Sequence, residues 1–221
     1  MTTRYEERIE QALWGLEVKG ELEEALAEYK AAAKELESAL AGGEISESEA
    51  KRILSYAYMR QSNAVRQTGE MDQAKALGDQ SVSLGRESGS DLSLARALLN
   101  HAATLAMTRD EAFGGILNEA RQTFGKGSSD DFVQGVGWCH LLESDLIGAG
   151  IMPGGAEDIV VAAQRALDVL EPIENWQGIV RALTALQQAH EKLSNEDDAR
   201  IVSQKLEVAM LKAESEESGA K

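Results

Sequence analysis

Short acidic turns recur between helix-patterned segments, and they constrain this chain more than any other feature. Gly20-Glu-Leu-Glu-Glu-Ala25, Gly69-Glu-Met-Asp-Gln-Ala74, Arg109-Asp-Glu-Ala112 and Asn195-Glu-Asp-Asp-Ala199 each join two amphipathic stretches and reach an alanine early in the second. Longer breaks fall around Gly43, Gly89, Ser128 and Pro172, a spacing of roughly 40 residues that belongs to helical repeat arrays. One amphipathic hairpin cannot bury both of its apolar faces, so a unit of this kind needs a neighbour on each side.

The segments between the breaks carry a period of 3.6. Leu22, Ala25, Leu26, Tyr29, Ala32, Ala33 and Leu36 form one stripe, and Ile179, Ala182, Leu183, Leu186, Ala189 and Leu193 another. Ser46 with Glu49 has the capping-box spacing that starts a helix. Alanine, leucine, glutamate, lysine, arginine and glutamine dominate, residues that lose little rotamer freedom in a helix. The alternating β-branched runs of strands are missing. The pattern predicts ten helices in five hairpins, the first over 4–18, the second over 21–40 and the last over 197–213. The expected organisation is one helical repeat domain over 1–213 and a disordered acidic tail over 214–221.

The turns resemble those of tetratricopeptide repeats. Gly20…Ala25 and Gly69…Ala74 match the family's turn-to-small-residue spacing, Ala166-Leu167…Pro172 is similar to a repeat end with one extra residue, and Tyr58 stands where the family has a large aromatic. The units are longer than the family's, and the third and fourth lack the turn glycine at its place. The resemblance implies an all-α, right-handed superhelical solenoid. It also implies that the first helix of each hairpin lines a concave groove that grips a peptide or another helix. An armadillo- or HEAT-like solenoid and a compact bundle are the alternatives.

In that register the groove positions of the second unit fall on Tyr56, Met59, Asn63, Arg66 and Gln67. Asn100, His101 and Thr104 make the polar stripe of the third unit. Thr184, Gln187, Gln188 and Glu191 make that of the fifth. Asn and Gln side chains both donate and accept, which suits an extended backbone. The alternative for each stripe is a solvated helix face. Trp138, in the unusual Trp138-Cys139-His140, is of a residue type enriched at binding hot spots, with packing between repeats as the other reading.

Nothing in the sequence has the spacing of a catalytic motif. Phe124-Gly-Lys-Gly-Ser128 is not a phosphate loop, and no H-E-x-x-H or G-x-S-x-G occurs. His101, His140 and His190 fall on the first helices of three successive units. A metal site would require them to converge with an acid such as Glu143. The reading is therefore not an enzyme, with no cofactor and no metal.

The formal charge is −16, from 38 acidic and 22 basic residues. Such a field repels phosphate backbones and anionic lipid and favours basic partners, with plain solubility as the other reading of the charge. The single cysteine, Cys139, excludes an intramolecular disulfide, and the N-terminal stretch has no secretory pattern, so the expected location is cytoplasmic. The expected function is an interaction scaffold or adaptor that binds a protein or peptide. The alternative is a regulatory or sensor domain that binds a small molecule. Self-association as a homodimer is a further expectation. It rests on the first helix with Ile9, Leu13, Trp14 and Leu16, whereas the charged last helix reads as a solubilising cap.

Overall fold

The computed structural model of the chain describes residues 3–219. It is all-α, with ten helices and no strand among the described residues. They are α1 (Arg4–Gly15), α2 (Leu22–Ala41), α3 (Glu47–Gln67), α4 (Met71–Ser88), α5 (Asp91–Met107), α6 (Phe113–Phe124), α7 (Asp130–Gly148), α8 (Ala156–Leu170), α9 (Trp176–Lys192) and α10 (Glu196–Gly219). A 3₁₀ turn, Glu17–Lys19, follows α1. The chain divides into two compact units, Met1–Thr123 and Phe124–Lys221.

Helix starts follow local chemistry. Thr3 and Glu6 form a reciprocal capping box at α1. Ser46, Ser90 and Asn175 accept the N–H three residues on and so satisfy orphan donors of α3, α5 and α9. At Ser46 only this half of the expected box forms.

The hairpin turns share one backbone device. Gly20, Gly69, Arg109, Gly150 and Ser194 all lie in the left-handed region, with φ of 84°, 88°, 56°, 66° and 59°. In each turn the next N–H bonds the carbonyl five residues back: Glu21 to Leu16, Glu70 to Val65, Asp110 to Leu105, Ile151 to Leu146 and Asn195 to His190. This is the Schellman closure that terminates a helix. Glycine adopts it freely at positions 20 and 69, whereas Arg109 and Ser194 do so against a Cβ penalty. This alignment relates the hairpins more closely than the alanine spacing does. Ala25 and Ala74 are buried, but Ala112 is exposed and precedes α6.

Within the first unit, hairpin α1–α2 packs beside α3–α4, and α3 lies between α1 and α5. Tyr5, Ile9, Tyr29, Leu36, Ile53 and Leu54 make the core of the first two hairpins. Within the second unit, α7–α8 packs beside α9–α10, and α7 also touches α9. Leu141, Leu167, Leu170, Ile179, Leu183 and Leu186 make its core. Two glycines of α7 let neighbours come close. A Cβ on Gly135 would sit 2.1 Å from the Phe124 ring, and one on Gly137 would sit 2.5 Å from Leu170.

Three expectations change. The first helix stops at Gly15, and the chain tightens into the 3₁₀ turn rather than continuing to Val18. The last helix continues past Ala213 to Gly219, so 214–219 are helical; 220 and 221 lie outside the described residues. The exposed apolar surface is also distributed differently. In α1, Ile9 is buried and Trp14 half-exposed, while α10 exposes Ile201, Val208, Met210 and Leu211.

Candidate functional site: the inner face of α1, α3 and α5

The first helices of the first three hairpins meet along a polar face. From α1, acids at positions 6 and 10 are one turn apart and share a side. The 3₁₀ turn then carries Glu17 back toward α3.

Glu17 is the centre of this face. It is 7% exposed, far below what an unpaired carboxylate tolerates. Its Oε2 accepts the Tyr29 hydroxyl at 2.6 Å, and its Oε1 accepts Arg60, Asn63 and, at 3.4 Å, Gln67. Arg60 is itself largely buried. Burial alone would make its guanidinium easier to deprotonate, but the ion pair with Glu17 outweighs this and raises its pKa. Burial, followed by the bond to Glu17, pushes the Tyr29 hydroxyl well above the usual phenol range. The network then passes along α3. Arg66 donates to Asn63 Oδ1 and reaches α5 at the Asn100 carbonyl, 3.1 Å, and Thr104 Oγ1, 3.3 Å.

Nearer the N-terminal ends of the same helices is an open cleft of about 360 Å³, lined by residues of α1, α3 and α5 with Ser90. Tyr56 and Met59 contribute its bulky side chains, and Arg52, Arg96 and Ser93 its polar rim. Arg52 pairs with Glu6 at 2.5 Å. Burial pushes the Glu6 carboxyl up, but hydrogen bonds from Arg52 and the Thr3 N–H hold it below the usual range. Tyr56 donates to Glu10 Oε1 at 2.6 Å, and Glu10 Oε2 accepts Trp14 Nε1 at 3.1 Å.

Of the positions singled out from sequence, Asn63, Arg66, Gln67, Asn100 and Thr104 therefore join one network, and Tyr56 and Met59 line the adjoining cleft. Thr104 is fully buried and acts as a bridge between helices. His101 turns away from this face. It is buried against Gly78, where a Cβ would lie 2.3 Å from Nδ1, and its Nε2 is 3.1 Å from Asp79. Desolvation lowers its pKa, with Asp79 acting in the opposite sense. Trp138 lies in the second unit, with the Arg181 guanidinium 5.5 Å from its ring centroid.

The histidines have separate neighbours. His140 Nδ1 is 3.5 Å from Glu143 and His190 Nδ1 is 3.9 Å from Asp198. No group of three potential metal ligands occurs among the described residues. No helix among them is long and apolar enough to cross a membrane.

Sequence reasoning missed Glu17, Tyr29, Arg60, Arg52 and Arg96. Glu6 and Glu10 were missed as well, and their i, i+4 spacing on α1 was the signal that could have found them. Glu17 carried no such signal, because the 3₁₀ turn breaks the helical phase.

Fold and site together define an all-α protein of packed helical hairpins. No protein-family model matches the chain, and no curated protein matches it. It is similar to BtubC (BKLC) from P. vanneervenii, whose crystal structure aligns over 96% of this chain and 93% of that one. The TM-score is 0.61 and the identity 16%, a likeness of fold alone.

Proposed function

We propose that this chain is a TPR-like interaction module whose hairpins follow a right-handed superhelical path and which holds a protein or peptide segment along α1, α3 and α5. The observation that carries the reading is the cleft over Tyr56 and Met59. It combines apolar area from Tyr56 and Leu92 with the carboxylates of Glu6 and Glu10 and the guanidinium groups of Arg52 and Arg96, a mixture that suits side-chain pockets and polar contacts to an extended chain. The Glu17 network beside it supports this reading, because a recognition surface works best when its side chains are held before the ligand arrives. The net negative charge favours a basic partner by raising the encounter rate.

The test is selection of peptides from a displayed random library on the immobilised chain, followed by titration of purified hits. Leu92→Lys with Arg96→Glu alters the cleft rim without touching the Glu17 network. The expected result is at least about a tenfold loss of affinity in this variant. Equal binding by parent and variant sinks the groove assignment.

A second reading is a regulatory domain for a small polar molecule. It is favoured by a cleft of about 200 Å³ in the second unit, lined by Ser144, Gln188 and Lys192. The Ser144 hydroxyl is buried there and has no hydrogen-bond partner among the described residues, an arrangement that native interiors rarely leave unfilled.

A further inference from the structure

Helix α10 is apolar on two opposite sides. One side, Val202, Leu206 and Ala209, is packed into the core of the second unit. The other carries Ile201, Val208 and Leu211, which are 50%, 54% and 67% exposed. A surface helix of a globular domain needs only one apolar stripe. The spacings of seven and then three residues place this second stripe on heptad positions a, a and d, with Gln204 at the intervening d and Ser215 at the next a.

The charges beside the stripe have a definite order. Lys205 and Lys212 occupy the e positions along one edge, and Glu207 and Glu214 occupy the g positions along the other. Lys212 is anchored on its edge, with Nζ 4.0 Å from the centroid of the Trp176 ring. When two such helices pack in parallel, each g position faces the e position five residues on in the partner, so Glu207 meets Lys212 in both directions. When they pack antiparallel, e faces e and g faces g, and lysines would oppose lysines. The core positions agree with the charges. Isoleucine and valine at a with leucine at d favour two parallel strands, with Gln204 and Ser215 as the polar core positions. At the N-terminal end Arg200 occupies the preceding g position and faces the partner's Lys205, a like-charge pair that its ion pair with Asp197 at 2.9 Å offsets in part.

We propose that the outer face of α10, through Ile201, Val208 and Leu211, pairs in parallel with the same face of a second copy of this chain. The stripe is about two heptads long, less than a standard stable interface buries, so the association is weak and concentration-dependent.

The test is analytical ultracentrifugation of the full chain from micromolar to millimolar concentration. The parent is expected to pass from monomer to dimer, and Leu211→Glu to need at least about tenfold higher concentration, with unchanged helical circular dichroism. Because Leu211 is solvent-exposed, this variant keeps the fold. Orientation is read from the charges. Glu207→Lys and Lys212→Glu each weaken the dimer, and the two together restore it. Leu211→Cys, a d position near the two-fold axis, forms an intermolecular disulfide under mild oxidation. A parent that stays monomeric throughout, a dimer indifferent to Leu211→Glu, or charge reversals that strengthen association would each overturn the proposal.

Discussion

The two units hold their hairpins side by side by different means. In the first, α1, α3 and α5 are joined by a ladder of hydrogen-bonded polar side chains: Glu6 to Arg52, Glu10 to Tyr56, Glu17 to Arg60 and Asn63, and Arg66 to Asn100 and Thr104. In the second, α7 and α9 share leucine and isoleucine. Glycines 135 and 137 admit close neighbours, and the ion pair between Arg181 and Asp145 lies in solvent. The difference concerns specificity more than strength. A buried charged network tolerates one arrangement of its helices, because any other leaves a charge unpaired. An apolar seam accepts small slips. The first unit is thus the one built to hold side chains in fixed positions, and the cleft sits there.

The sharpest way to break this comparison is Glu17→Ala. It leaves Arg60 buried without its carboxylate, and the expected loss is about 3 kcal/mol or more, read as a lower midpoint in urea denaturation. Arg181→Ala, its counterpart in the second unit, removes a half-exposed ion pair and a contact with the Trp138 ring and is expected to cost about 1 kcal/mol. Equal effects from the two variants would erase the distinction.

Next in size is Gly135→Ala. The new methyl meets the Phe124 ring at a distance no real contact has. We expect a net loss of about 2 kcal/mol from overpacking, after helix propensity returns part of it. A thermal melt no lower than the parent's would mean that α7 packs loosely against the Phe124 ring.

Smaller and opposite in sign are Arg109→Gly and Ser194→Gly. Each relieves a left-handed backbone at a hairpin turn. Each is expected to stabilise by about 0.5–1 kcal/mol, because the Cβ penalty removed slightly exceeds the added chain entropy. The gain should appear in both units, since the turns are alike in both.

The smallest expected effect is a pH slope that arises at His101 in the first unit. His101 has a lowered pKa in the folded chain, so the unfolded chain binds the proton more readily. Stability is then complete above the ordinary histidine range, near pH 6.5, and declines as pH falls through it. Asp79, Lys75 and Asp110 face the same ring. Asp110, held low chiefly by Lys75, adds its own loss only at more acidic pH. Chemical denaturation between pH 7.5 and 5.5 should show the decline in the parent and a flatter profile in His101→Gln.

Much of the fold was legible because it is local. Helix-forming composition, the caps at Ser46 and the stripes of α2 and α9 each act within a few residues. Glycines at 20 and 69 mark turns wherever the chain places them. The turns at Arg109 and Ser194 were harder to read, since neither residue advertises a left-handed backbone, and the alanine at 112 suggested the wrong alignment. The polar stripe of α3 was legible as a stripe. What each member does was not, because a helical period says which side chains share a face and not which helix covers them.

The sequence by itself determined that this is a chain of helical hairpins with a polar face on α3, because periodicity and turn chemistry operate within one or two turns of helix. Only the tertiary structure decided that Glu17 is buried and gathers Tyr29, Arg60, Asn63 and Gln67 around it, that His101 turns to Asp79, and that one stripe of α10 is covered and the other bare. The reason is physical: the burial of a charge depends on partners brought from other helices, and the free energy that keeps it there exists only once they have met.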